Sequence, residues 1–252
     1  MQYNMAKAIK IKKFNAGQVF EMLRDEFAFI NAQGTIRFNL NDFEIIVKQN
    51  SVVGNIIEDW LAEWLNAKGI ANEHNLGQSA PDFWLDPDDK TKDLLEIKCF
   101  YRGPGFDIAN FLSYVTEIID KPYRLQSKYL LILYDMNPET GIVNITNAWL
   151  KNVWEIACSS SVRPIKVQEK KKVIYNIRPA TWYSESTQYP TFKCLEHFLA
   201  ALEQTLYDYH QTRTTLAENW AKKVCKAYKD FYGVELKLPR WYDIKDQYIV
   251  DK

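Results

Sequence analysis

The run KYLLILYDM at 128–136 constrains the fold of this 252-residue chain more than any other segment. Its polar side chains sit near the ends, so the middle has no solvent-facing side. It reads as a strand buried on both faces. Such a strand needs a layer above and a layer below. Helical periodicity at 16–30 (AGQVFEMLRDEFAFI), 52–67 and 106–119 supplies the covering elements. The implied class is α/β, a central mixed β-sheet flanked by helices.

The remaining segments fit that frame. TIRFNLNDFEIIV (35–47) reads as a hairpin around Asn-Leu-Asn-Asp. Ser51 is a suitable N-cap for the helix at 52–67, which Gly69 ends. Ile57, Leu61, Trp64 and Leu65 form its apolar stripe, with Glu58 and Glu63 outside it. PDFWL and LLEIKCF read as two strands joined by the polar turn DPDDKTKD. GIVNIT should pair with the strand at 128–136, and NAWLKNVWEIA (147–157) reads as a helix. IKVQ and VIYNI flank Glu169-Lys170-Lys171-Lys172 as a second hairpin, and 192–232 is helical. With no repeat or linker, 1–252 is expected to form one domain, its core at about 50–136 and its hairpin region at about 163–183.

Composition excludes several classes. The 32 basic and 32 acidic residues cancel, so any surface for a polyanion must be local. Cys99, Cys158, Cys194 and Cys225 are scattered without a zinc-type spacing and read as reduced thiols of a cytoplasmic protein. The start, MQYNMAKAIKIKKF, lacks the apolar stretch of a signal peptide, and no run reaches membrane-spanning length. His74, His197 and His210 are far apart, and His197 reads as structural within a helix.

Chemistry concentrates in 81–98. On a strand LLEIKCF, Glu96 and Lys98 share one face while Leu95, Ile97 and Cys99 share the other. Placing a Glu and a Lys on an otherwise apolar strand is costly unless they pair or work. If the strand beginning near Asp82 is its neighbour, the Asp82 and Glu96 carboxylates converge with the Lys98 ammonium beside them. Two carboxylates at one point call for a hard cation, Mg²⁺, which would polarise a phosphate and acidify a water. Lys98 would position or deprotonate that water. The Ile97 carbonyl and Glu58 offer further ligand positions.

Pro81-Asp82 followed by Glu96-Ile97-Lys98 resembles the motif of the PD-(D/E)XK nuclease superfamily. A narrower resemblance runs from about 50 to 245. GQSAPDFWL, FDIANF (106–111), NIRPATWY (176–183) and LPRW (238–241) are similar to the type II restriction endonucleases of the NgoBV and NlaIV family. The resemblance implies a restriction-endonuclease-like core with a helical C-terminal part. It also implies Mg²⁺-dependent hydrolysis of double-stranded DNA at a palindromic site of GGNNCC type, and a companion methyltransferase protecting host DNA. A structure-specific repair or recombination nuclease, or an inactive DNA-binding protein on the same fold, are the alternatives.

DNA contacts are expected from Arg102, in a Gly-rich loop after the motif strand, and from 163–178. That segment carries Arg163, Lys166, Lys170, Lys171, Lys172 and Arg178 against a single acidic residue, Glu169. A palindromic target implies a homodimer, with the C-terminal helices as the expected pairing surface.

Overall fold

The computed structural model describes residues 11–77 and 80–249. Most of the chain start discussed above, residues 1–10, therefore lies outside the described residues. In chain order the strands are β1 (Gln33–Thr35), β2 (Arg37–Leu40), β3 (Phe43–Ile46), β4 (Glu73–His74), β5 (Phe83–Trp84), β6 (Leu94–Tyr101), β7 (Ala109–Asn110), β8 (Lys128–Met136), β9 (Ile142–Asn152), β10 (Val167–Lys170) and β11 (Val173–Ile177). The helices are α1 (Ala16–Glu21), α2 (Val53–Ala67), α3 (Phe111–Asp120), α4 (Leu195–Asp208), α5 (Trp220–Tyr232) and α6 (Trp241–Ile244). The fold is mixed α/β, as the buried strand requires. Contacts group the chain into two compact units, one from residues up to Cys99 plus Leu130–Leu150, the other from Phe100–Tyr129 plus Lys151 onward.

The first unit is organised by a mixed six-stranded sheet in the order β1-β9-β8-β6-β5-β4. β8 is central, and Tyr129, Leu130, Leu131 and Ile132 are all at most 4% exposed, so both of its faces are covered. α2 buries Leu61, Trp64 and Leu65, three residues of its apolar stripe, while Glu58 stays half-buried and Glu63 exposed. A short 3-10 turn, Asn50–Val52, precedes α2 and makes Val52 the N-cap, so Ser51 does not cap the helix as its residue type suggested. Past its end, Gly69 takes φ 67°, the left-handed turn that stops the helix. β2 and β3 pair with each other and form a separate two-stranded sheet.

The segment 147–157 is a strand end and not a helix. β9 runs to Asn152, and only a 3-10 turn, Val153–Glu155, follows. β9 lies between β1 and β8; β1 pairs only with its first residues, Ile142–Asn144, and the rest of the strand continues alongside β8. From Ile142 to Ile145 its burial rises and falls with period two. Tertiary pairing along the long β8 overrides the local helical spacing.

In the second unit β10, β11 and β7 form a three-stranded antiparallel sheet. α3 starts at Phe111, later than the periodicity from 106 suggested. Asn110 is the reason: its side chain accepts from the Ser113 N–H at 3.0 Å and caps the helix. The residues before it pair with β11 instead. α4 supplies a fully buried face including Phe198, Leu199 and Leu202, and the Trp220 indole at the start of α5 donates to the Val115 carbonyl at 2.7 Å.

Candidate active site

All the motif side chains belong to the first unit, and the register of two short strands brings them together. β5 and β6 are antiparallel with Phe83 opposite Leu95 and Trp84 opposite Leu94. One step further along the ladder Asp82 stands beside Glu96. The Asp82 carboxylate accepts the Ile97 backbone N–H at 2.6 Å. Its own carbonyl accepts the Asn75 N–H at 2.8 Å, and the Asn75 amide donates to the Pro81 carbonyl at 2.9 Å. The Pro-Asp segment is thereby clamped from both sides.

Glu96 is only 5% exposed, an unusual position for a carboxylate, and the Lys98 ammonium meets it at 2.8 Å. Two residues apart on one strand face, they form the pair that alternation demands. Glu58, on α2, reaches the same cleft and contacts the Nε2 of His74 at 2.9 Å. The His74 ring stacks on Phe83, with centroids 4.6 Å apart and planes 8° from parallel. Glu58, His74, Asp82, Glu96 and Lys98 line one solvent-open cleft of about 530 Å³.

The electrostatics of the cleft are those of crowded anions short of positive charge. Burial raises the Asp82 carboxyl above its ordinary range and the Glu58 charge adds to the rise, while Lys98 and the Ile97 N–H act in the opposite direction. For Lys98, burial disfavours the ammonium, but the carboxylates of Glu96, Asp82 and Glu58 outweigh it, and its pKa stands above the usual lysine value. Burial also pushes up the Cys99 thiol, next to Gly54 of α2, so it stays an un-ionised packing group.

A hard divalent cation fits this donor set. Asp82 and Glu96 offer carboxylate oxygens at one point, and extra positive charge would relieve the penalty burial imposes on Asp82. Among the described residues no group of three or more His, Cys, Asp or Glu side chains stands ready as a metal nest. Glu58 turns toward His74 instead of completing a three-carboxylate cluster.

Residues 13–248 match the model of the NgoBV restriction endonuclease family. The chain belongs to the NgoBV restriction endonuclease family. The type II restriction enzyme NlaIV of Neisseria lactamica is 45% identical over 240 residues, covering 94% of this chain and 98% of that protein. The type II restriction enzyme NgoBV of Neisseria gonorrhoeae is 43% identical over 162 residues, 63% of this chain and 91% of that protein. A solved structure of the NlaIV restriction endonuclease superposes with a TM-score of 0.90 at 44% identity, covering 95% of this chain and 98% of that one. This member of the NgoBV family is thus a type II restriction endonuclease, a site-specific deoxyribonuclease. No helix among its described residues is long and apolar enough to cross a membrane.

The cationic residues of this NgoBV-family enzyme are placed unevenly within the second unit. Arg163 holds Glu169 through Nε at 3.0 Å and Nη2 at 2.9 Å and lies over the Tyr209 ring. Lys166 donates to the Pro179 carbonyl at 2.9 Å, and Arg178 pairs with Asp107 and donates to the Gly105 carbonyl at 2.8 Å. These three brace the hairpin. Lys170, Lys171 and Lys172 are exposed at its tip. Arg102 takes φ 66° and lies over the Tyr101 ring.

His74 is the site residue that sequence reasoning passed over. A lone histidine in ANEHN carries no spacing signal. Only the pairing of β4 with β5, which sets His74 opposite Phe83, brings it to Glu58.

Proposed function

We propose that the enzyme hydrolyses phosphodiester bonds of double-stranded DNA in a Mg²⁺-dependent reaction at a short palindromic site, of GGNNCC type as in the family it resembles. On this reading it acts in the cytoplasm as a homodimer, beside a methyltransferase that protects host DNA. The observation that carries the reading is the convergence of Asp82, Glu96 and Lys98 in one open cleft.

Asp82, Glu96 and the Ile97 carbonyl are the groups that would hold the cation. Mg²⁺ bound there supplies a Lewis acid and a water of lowered pKa. The chain does the rest. The Ile97 N–H fixes one oxygen of Asp82, which sets the carboxylate's orientation. Lys98, kept protonated by the surrounding carboxylates, offers an ammonium to charge developing on the phosphorane and aligns the attacking water. Its raised pKa favours this role over that of a base. Glu58, steadied by His74, contributes a carboxylate at the mouth of the same cleft.

The tip of the β10–β11 hairpin supports a DNA contact. Lys170 pairs with Val173, so the turn is the two residues Lys171 and Lys172, with φ of 51° and 65°. Asn-Gly would adopt that turn at far lower cost than two lysines. Cations held where glycine is preferred fit a role in gripping phosphates. Arg102, Arg163, Lys166 and Arg178 belong to the same proposed DNA-contacting set, the last three also bracing the hairpin.

Digestion of a sequenced plasmid tests the function. Discrete fragments with Mg²⁺ and none without are expected, and cleavage by Lys98→Ala or Asp82→Ala should be abolished. A smear, branch-dependent nicking, or cutting that survives chelation would refute the reading.

A further inference from the structure

The β2–β3 hairpin has two unlike faces. Phe38 is opposite Ile45, and Leu40 is opposite Phe43. These four therefore share one face, while Arg37, Asn39, Glu44 and Ile46 share the other. The second face is accounted for: Arg37 pairs with Glu44, and Ile46 packs so closely on Gly141 that a Cβ there would stand 2.5 Å from it. The first face is open. Phe38 is 54%, Leu40 65%, Phe43 72% and Ile45 44% exposed. Alternation this regular is the pattern of a strand pair with a core to face, and a bare two-stranded sheet is marginal in water.

We propose that this apolar face is where a second copy of the chain docks, the two hairpins packing about a twofold axis. Charge selects the occupant. The face carries no ionisable group, so copies meet without repulsion, whereas a DNA backbone would find no cation on it. Area agrees. Four large side chains at these exposures leave on the order of 400 Å² of apolar surface per copy, about as much as the largest patch a monomer tolerates. Ile36, at the root of the hairpin, also lines an apolar groove with Phe27, Ile56 and Trp60. Pairing both copies through the hairpin and this groove approaches the roughly 1,000 Å² that a specific interface needs. The C-terminal helices are a poorer choice, because α5 already buries Trp220, Val224 and Tyr228 inside its own unit. The choice of a second copy rests on the palindromic-site reading above, and the surface itself on the hairpin geometry.

Sedimentation velocity of the full chain without DNA tests the proposal. The wild type should be a dimer at tens of micromolar. Leu40→Asp/Phe43→Asp should give a monomer with unchanged circular dichroism and a dissociation constant raised about 100-fold or more. Tyr242→Asp, at an aromatic 61% exposed elsewhere, should stay dimeric. As a second readout, Leu40→Cys treated with a short bis-maleimide should run at twice the chain mass, and the wild type should not. A monomeric wild type, or a double variant that stays dimeric, would overturn the docking surface. A plasmid digest keeps the two failures apart: discrete cutting by a monomeric wild type sinks only this surface, and smearing by a dimer sinks only the restriction reading.

Discussion

Lys98→Ala should damage stability and activity by separable routes. The wild-type ammonium lies 2.8 Å from Glu96, whose side chain is 7% exposed against 22% for Lys98. Removing the cation leaves a buried carboxylate without its main counter-charge. Breaking a fully buried pair costs about 3–5 kcal/mol, and the open cleft and partly exposed lysine reduce that to about 2 kcal/mol. For a chain of this size the midpoint should fall by roughly 4–8 °C. Removing both partners costs far less than removing one, so Glu96→Gln/Lys98→Ala should regain most of the loss. Cleavage should stay down by about 100-fold or more in either variant. Thermal unfolding by circular dichroism without metal, beside single-turnover cleavage, measures both.

The pH dependence has a definite sign. Because the folded pKa of Lys98 is raised, its contribution is fully present below the unfolded value of 10.5 and is lost as pH rises through the folded value. The stability gap between wild type and Lys98→Ala should therefore hold through neutrality and narrow in strong alkali, and narrow too in acid, where protonation removes the carboxylate charge that Lys98 balances. A Lys98→Ala protein as stable as wild type, or a double variant no better than the single, would refute the buried-pair argument.

Asp82→Asn should abolish cleavage yet raise the melting temperature of the metal-free protein by about 2–4 °C, since burial opposes the charge and the amide oxygen still accepts from Ile97. The acid limb of the wild-type rate profile, measured at saturating Mg²⁺ and again at limiting Mg²⁺, should move upward at limiting Mg²⁺, because the raised Asp82 pKa then competes with metal binding. Lys171→Asn/Lys172→Gly should stabilise the β10–β11 hairpin by about 1 kcal/mol while lowering the salt dependence of DNA affinity by about one unit of slope per lost phosphate contact; fluorescence anisotropy across a salt series reads it. His74→Ala should leave folding intact and reduce cleavage less than Glu58→Gln does, because the hydrogen bond of His74 is to Glu58 and its effect on Asp82 is the smallest of those acting there.

By itself the sequence determined whatever depends on neighbours along the chain. Alternation on LLEIKCF placed Glu96 and Lys98 on one face, the apolar run at 128–136 demanded a covered sheet, turn residues located the first hairpin, and the flanking runs IKVQ and VIYNI located the second. These follow from the two-residue period of a strand and the φ preferences of turns, which need no partner. Periodicity from 106 overran the start of α3, which Asn110 caps at Phe111. What depended on pairing partners waited for the tertiary structure. Residues 147–152 look helical alone and become strand because β9 continues alongside β8. Asp82 meets Glu96 only through the β5–β6 register, and His74 meets Glu58 only because β4 pairs with β5. Three of the six hairpin cations turn inward to carboxylates and carbonyls that no local pattern announces. A short segment's local preferences amount to tenths of a kcal/mol per residue, and one ladder of hydrogen bonds with a buried face exceeds them.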